Sequence, residues 1–245
     1  MALYVLLAVI LFIWNQPVFL AVNGANNAFF DGFLGLVSGL GDGLIVALIC
    51  TGVMLWRFRL GLAGVLAFIA SGLIAQLLKR LVDLPRPAAI FDQVHVLGDT
   101  LHAHSFPSGH ATSLGVLIPL GLYLFGLKDW RCWTLGVLSL LAAYGRVYGG
   151  VHFPLDVWVG LGIGVACMWG IWQWIRNQAK QNWEESIWAW NVPAVLLMGE
   201  AGVLGLGYHM QPATAQPLAW IAAVAALAYL MWVWRQLRMR RGYGH

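Results

Sequence analysis

The chain has 245 residues, 60% of them hydrophobic and only 10% charged, with a formal net charge of +4. Soluble domains carry roughly 25% charged residues, so this composition excludes a water-facing globule and specifies a membrane protein whose length goes into spans. The positive balance does not point to nucleic acid, because the cations form no basic face once placed along the chain.

Ala2 to Trp14 is an apolar run like a signal h-region, yet no Lys or Arg precedes it. It is expected to be an uncleaved first span reaching about Val22, with Asn15, Gln16 and Pro17 near its outer end. Asn23 to Gly43 is rich in Gly, Asn and Phe and carries Asp31 and Asp42. It is too polar for a span and is expected along the membrane interface. A second span, about Leu40 to Trp56, is closed by Arg57 and Arg59, and a third, Leu60 to Leu78, by Lys79 and Arg80. Asp83 to Pro107 is the longest polar loop. The fourth span runs from about Ala111 to Leu127, with Lys128 and Arg131 beyond it. Trp133 to Val151 is a fifth, broken at Gly149 and Gly150. Pro154 suits the first turn of a sixth, about Leu155 to Ile175, followed by Arg176 and Lys180. Two more, about Ile187 to Tyr208 and Leu218 to Trp234, precede a tail with Arg235, Arg238, Arg240 and Arg241. The expected fold is an all-α, polytopic membrane helical bundle of about eight spans. Residues 1–180 form its core, and residues 181–245 supply two additional spans and a basic tail. Cys50, Cys132 and Cys167 are odd in number and sit in apolar runs, which favours buried inert thiols over a disulfide framework.

Alternating these spans sorts the charges. Arg57, Arg59, Lys128, Arg131, Arg176, Lys180 and the four tail arginines, ten of the 14 Lys and Arg, fall on one side. By the positive-inside rule that side is the cytoplasm, so both termini are expected there. Ten tryptophans, from Trp56 to Trp234, fall at the same boundary, as an aromatic belt does. Lys79, Arg80, Arg86 and Arg146 remain on the outer side against the rule, and they need a chemical reason.

Ser105-Phe106-Pro107-Ser108-Gly109-His110 closes the polar loop and opens the fourth span. Pro107 disfavours helix at Phe106, Ser108 can cap the new helix, and Gly109 lets backbone approach a ligand. The free N–H groups of that helix start make an anion site, with His110 in the first turn to pass a proton. Lys79 and Arg86 end the third span, and Arg146 lies near the outer end of the fifth. His152 and Asp156, four residues apart, open the sixth. Guanidinium forks match phosphate oxygens, and lysine serves as a point charge. A carboxylate on one ring nitrogen of a histidine leaves the other basic and nucleophilic. Two histidines flanking an anion site divide the labour: one attacks phosphorus and the other protonates the leaving oxygen.

Lys79-x6-Arg86-Pro87, Pro107-Ser108-Gly109-His110 and Arg146-x5-His152-x3-Asp156 together resemble the three-part signature of the type 2 phosphatidic acid phosphatase superfamily. These are metal-independent membrane lipid phosphatases with soluble acid phosphatase and haloperoxidase relatives. The resemblance implies a six-span phosphatase core within residues 1–180, with the last two spans in excess of it. It implies His152 as the nucleophile forming a phosphohistidine, Asp156 as its orienting partner, and His110 as acid and then base. Lys79, Arg86, Ser108, Gly109 and Arg146 would hold the phosphoryl oxygens. Gly145 stands where the family usually has Ser, which removes one expected hydroxyl donor.

Arg80 fits no motif position and is assigned to the headgroup region. His95, His102 and His104 are expected as solvated loop histidines. Three histidines, His102, His104 and His110, could in principle hold zinc, but His110 already has a role that a metal would block. No metal or cofactor is therefore expected. Asp42 and Glu200 each need a polar partner in the bundle, and the sequence does not say which. The partners expected are the bilayer and a lipid phosphate, and no nucleic acid. A phosphate-lipid carrier is the rival class, but it has no use for the histidine and aspartate spacing. Transfer of the phosphoryl group to an acceptor lipid is the rival within enzymes. The site fits the outer, periplasmic face of a bacterial inner (cytoplasmic) membrane. The resemblance implies undecaprenyl diphosphate, phosphatidylglycerophosphate, phosphatidic acid or the phosphates of lipid A as candidate substrates. Undecaprenyl diphosphate leads if Arg80 and the loop histidines contact a second phosphate, and lipid A follows.

Overall fold

A computed structural model of the protein describes residues 2–178 and 188–242, with side chains in the last helix only as far as Gln236. Lys180, Trp183 and the start of the seventh span at Ile187 lie outside the described residues, as do the side chains of Arg238, Arg240 and Arg241. The described residues are mostly helical and contain no strand. The helices are α1 (Ala2–Ile13), α2 (Asn15–Gly24), α3 (Ala28–Ser38), α4 (Gly43–Trp56), α5 (Phe58–Val82), α6 (Pro87–Ile90), α7 (Gly109–Phe125), α8 (Trp130–Tyr148), α9 (Pro154–Asn177), α10 (Trp188–Leu206) and α11 (Gln216–Gly242). Four helical stretches, in α5, α9, α10 and α11, are each long and apolar enough to cross a membrane, or up to six if each bent pair described below counts as one.

The fourth expected span, α7, is the central helix. Every residue from Ala111 to Leu117 is buried, and it packs on α5, α8 and α9. Its 17 residues give about 25 Å of helix, a little short of a hydrocarbon core. Glycines set its distance from α9: a β-carbon on Gly164 or Gly115 would overlap the facing backbone, the small-residue contact that membrane helices use to approach closely.

The first expected span is not continuous. α1 and α2 are bent by 77° at Trp14. Pro17 cannot donate to the Ile13 carbonyl, so the α1 ladder stops there and a new helix starts. α1 is pinned to α9 by the stacked Tyr4–Trp158 pair and by the Tyr4 hydroxyl donating to the Trp158 carbonyl at 3.0 Å. α2 runs inward below the site, with Phe19 fully buried against Phe91 and Phe153. The segment expected to lie along the interface is also helical. Asn27 caps α3 by accepting from the Phe30 N–H at 3.1 Å, and α3 packs on α8. Phe29, Phe30, Phe33 and Leu36 remain exposed. A 3₁₀ turn and Asp42, which caps α4 through the Leu44 N–H at 2.9 Å, complete a 54° bend.

α10 packs on α4 and α11 on α10, forming a second apolar cluster beside the core. The open questions about buried acids are answered here. Thr51 donates to Glu200 at 3.1 Å, and the Tyr208 hydroxyl donates to Asp42 at 2.8 Å.

Candidate active site

The site is built where the polar loop folds over the ends of α5, α7, α8 and α9. The loop closes on itself: the Arg86 N–H donates to the His102 carbonyl and the Ser105 N–H to the Leu84 carbonyl, each at 2.9 Å. It is then latched to the C-terminal turn of α8. Asn23, buried, donates to the His95 carbonyl at 2.7 Å and the Tyr148 carbonyl at 2.8 Å, and accepts from the His95 N–H at 3.0 Å. Gly150 is required in that turn, because its φ of +72° is left-handed and a β-carbon there would run into the His95 carbonyl.

Backbone carbonyls orient two of the outer cations. Arg86 donates through Nε to the Ala103 carbonyl at 2.9 Å and through Nη1 to the Val151 carbonyl at 3.0 Å. The same Nη1 stands 3.5 Å from His152 Nε2. Lys79 Nζ donates to the His104 carbonyl at 2.6 Å. Arg146 is buried in the last turn of α8, and its Nε has no hydrogen-bond partner among the described residues. Its carbonyl accepts from the His152 N–H at 3.3 Å, which brings His152 back over the cation.

Asp156 sits behind His152. Its Oδ2 accepts from the Ser105 hydroxyl at 2.5 Å and from the Phe153 N–H at 2.9 Å, the second bond helping to start α9. The same oxygen is 3.6 Å from His152 Nδ1, a close ionic contact rather than a made hydrogen bond. His152 lies in the connection between α8 and α9. Burial holds its imidazole well below the ordinary histidine range, Arg86 and Arg146 push the same way, and Asp156 pulls against them. The resting side chain is therefore neutral, with Nε2 toward Arg86.

Lys79, Arg86, Gly109, His110, Arg146 and His152 share one cavity of about 260 Å³, with Leu97, Asp99, Leu101, Val151 and Gln211 completing its lining. His110 Nε2 is buried there without a hydrogen-bond partner among the described residues. Of the remaining sequence-derived candidates, Asp156 stands behind the cavity. Ser108 is fully buried as the cap of α7, its Oγ accepting from the Ala111 N–H at 3.4 Å and its N–H donating to the Asp156 carbonyl at 3.0 Å. Helix geometry leaves the Gly109 and His110 N–H groups without intrahelical partners, and Gly109 opens on the cavity.

Several expectations change. His95 is not a solvated loop histidine: its Nε2 is 2.9 Å from Asp31, which also accepts from the Tyr148 hydroxyl at 2.7 Å. His104 does lie exposed in the loop, its Nδ1 2.8 Å from the equally exposed Asp83. No group of three His, Cys, Asp or Glu among the described residues is placed to hold a metal, so His102, His104 and His110 do not converge. A side chain at position 145 would point toward α3, 3.1 Å from the Leu34 carbonyl and from Ser38 Cβ. Gly145 is thus a packing glycine, and the missing hydroxyl removes no cavity contact. Sequence reasoning assigned no role to Ser105, Asn23, Asp99 or Gln211. A small buried serine beside the Pro107 motif was the one available signal.

A neutral histidine backed by a carboxylate, a second histidine and three cations around one cavity can hold an anion and move a proton at it. The fold and site define an all-helical membrane protein with a cavity lined by two histidines and three cations. The model of the PAP2 superfamily matches residues 60–180. The chain is 30% identical over 109 residues to the undecaprenyl-diphosphatase of Sulfolobus acidocaldarius, covering 43% of this chain and 50% of that one. It therefore spans about half the length of that curated relative. The crystal structure of Aquifex aeolicus LpxE is similar with a TM-score of 0.60 at 30% identity, over 65% of this chain and 94% of that one. A PAP2-type phosphatidylglycerolphosphate phosphatase from Bacillus subtilis shares the fold, with a TM-score of 0.58 at 20% identity, over 74% of this chain and 96% of that one. The chain belongs to the PAP2 superfamily.

Proposed function

We propose that this protein is a membrane lipid phosphatase working through a phosphohistidine. His152 Nε2 attacks phosphorus, the bond to the leaving oxygen breaks, and His110 gives that oxygen a proton. Water then attacks the phosphohistidine while His110 takes its proton back. The P–N bond breaks, and inorganic phosphate leaves with His152 restored. Asp156, fixed by Ser105, orients His152. Lys79, Arg86, Arg146 and the Gly109 N–H take the phosphoryl oxygens, whose charge grows toward the transition state. The observation that carries this reading is that Arg146 Nε and His110 Nε2 are buried and unpartnered in the cavity that His152 lines. Ser108 acts here by capping α7 rather than by touching phosphate.

Residues 1–180 form the catalytic unit, and residues 181–245 add the C-terminal pair. The ten cations on the opposite side support a periplasmic site in a bacterial inner membrane, with both termini in the cytoplasm. The phosphate then sits at headgroup depth and the lipid tail stays in the bilayer. The printed functions of relatives, which include undecaprenyl-diphosphatase and lipid A 4'-phosphatase, support a lipid-linked phosphate or diphosphate as substrate. The test is phosphate release by purified protein from these lipids in detergent, with trapping of the labelled enzyme by alkaline detergent quench. Wild type should form an acid-labile phosphoenzyme and turn over in the presence of chelator, and His152→Ala should do neither. Turnover by His152→Ala, or no release from any lipid phosphate, refutes the reading.

A further inference from the structure

The cavity is not uniform from floor to mouth. Its floor is buried and carries two cations: Arg86 and Arg146, beside the neutral His152, are each, like it, at most 8% exposed. Its mouth is made of exposed residues, Asp99, Leu101 and Gln211. Gln211 comes from the connection between α10 and α11, so the C-terminal pair reaches the reaction cavity. A fixed contact places it there: its Oε1 lies 3.0 Å from where a β-carbon on Gly98 would stand, and that glycine holds a left-handed φ of +96°. Pro212 packs on the same turn, and the turn carries Asp99 next in sequence. Neither Asp99 nor Gln211 makes a hydrogen bond or ion pair with another described residue, so both polar groups are free to meet a ligand.

This mouth is wrong for a second phosphate. The two arginines lie on the floor, where the transferred phosphoryl group sits, and the half-exposed Lys79 is turned to the His104 carbonyl. Arg80 does not line the cavity, and the His95 and His104 rings are held by Asp31 and Asp83. A phosphate on the leaving side would face the Asp99 carboxylate, with Lys79 the one lining cation outside the floor to offset it among the described residues, and that lysine is assigned above to the transferred group. A hydroxyl there would donate to that carboxylate, and the Gln211 amide both donates and accepts. Resting on the phosphatase reading above, we infer that Asp99 and Gln211 determine specificity for the leaving group. They select a phosphate monoester on a hydroxyl-bearing headgroup, a polyol or a sugar, over a diphosphate.

The experiment compares purified wild type, Asp99→Lys and Gln211→Ala on phosphatidylglycerophosphate and a polyprenyl diphosphate in the same mixed micelles. Wild type should prefer the polyol lipid in kcat/KM by about tenfold or more, the scale of one hydrogen bond to a charged group. Asp99→Lys should lower or invert that ratio. Gln211→Ala should lower kcat/KM on the polyol lipid and leave the diphosphate rate unchanged. Both residues are exposed, so thermal midpoints should not move. A wild-type preference for diphosphate, or a ratio unmoved by Asp99→Lys, overturns the inference and leaves the phosphatase reading intact. Silence of wild type on both lipids counts against that reading itself.

Discussion

Gly109 and Gly160 flank the start of α7, and a single methyl group added to each should break the protein in opposite ways. At Gly109 a β-carbon meets no heavy atom within 4 Å, and the residue has no left-handed backbone. Folding should therefore tolerate alanine, with a change of at most about 1 kcal/mol, in the stabilising direction. The methyl would instead stand in the cavity, between the helix-start N–H and the phosphoryl oxygen. Loss of one such donor costs about 10²–10³ in turnover. At Gly160 a β-carbon would lie 2.7 Å from the Ser108 carbonyl and 3.1 Å from both Ala111 Cβ and Thr112 Oγ1. Carbon–oxygen contacts settle near 3.3–3.6 Å, so α7 must retreat by roughly 0.6–0.9 Å. Overpacking of this kind costs typically about 1–3 kcal/mol, offset by up to about 1 kcal/mol of helix propensity.

Thermal unfolding in detergent and saturating phosphate release, measured on both variants, separate the two cases. Gly109→Ala should keep its midpoint and lose turnover. Gly160→Ala should unfold earlier, and also lose turnover, because the retreat stretches the 3.0 Å bond from the Ser108 N–H to the Asp156 carbonyl. Gly170→Ala is the control within α9, where a β-carbon meets nothing within 4 Å; it should leave turnover unchanged and raise the midpoint by no more than a helix-propensity gain of about 1 kcal/mol gives. A destabilised Gly109→Ala, or one with full turnover, would refute the assignment of that glycine to the anion site.

Three further outcomes are expected. Ser105→Ala removes a hydrogen bond to a charged group, so kcat should fall by about 10–10² with little change in KM; a rise in KM alone would mean that Ser105 does not act through Asp156. Arg146→Ala should cost about 10²–10³ or more in turnover, while Arg80→Ala, exposed and outside the cavity, should cost far less; equal losses would overturn this division of the outer cations. Stability should fall as pH drops below about 6.5, because the unfolded chain then protonates its histidine and the folded chain, with His152 held low, does not. The slope due to this group is at most about 1.4 kcal/mol per pH unit, and thermal midpoints of His152→Gln should show a shallower dependence than wild type.

The sequence made the centre of this site legible and left its supports hidden. Motif spacing brought Lys79, Arg86, His110, Arg146 and His152 to one cavity, because each motif residue sits at a helix end whose polarity breaks a hydrophobic run. Span periodicity located α7, α8 and α9 within a few residues for the same reason. The bends at Trp14 and Asp42 were not legible. Pro17 marks a kink only once α2 has Phe91 and Phe153 to pack against, and Asp42 reads as a membrane charge until it caps α4. Asn23, Ser105 and Gln211 lie in segments without periodicity, and their partners are 72, 51 and 113 residues away in sequence. No local pattern encodes such pairings. Gly145 misled in the other direction, since a family position suggested a lost phosphate contact, whereas the β-carbon direction there points to α3.

The way the cations are held bears on how the site works. Among the described residues, Lys79, Arg86 and Arg146 form no ion pair. Carbonyls of Ala103, His104 and Val151 orient the first two. A carboxylate in those places would fix the side chains equally well, but it would cancel the charge and compete with the incoming phosphate. Carbonyl dipoles fix direction and leave the positive charge uncancelled. Of the buried carboxylates nearby, Asp156 faces away into Ser105 and the Phe153 N–H, so its charge is spread over donors on the far side of His152. Asp42, close enough to act on Arg146, is tied to the Leu44 N–H and the Tyr208 hydroxyl. The cost is a concentration of positive charge in a buried place, and the fold offsets it with the latch from Asn23 through His95 to Tyr148, which closes the loop over the cations before any anion arrives. Donors held in advance need not reorganise during reaction, and that is the condition under which they lower a barrier rather than merely bind.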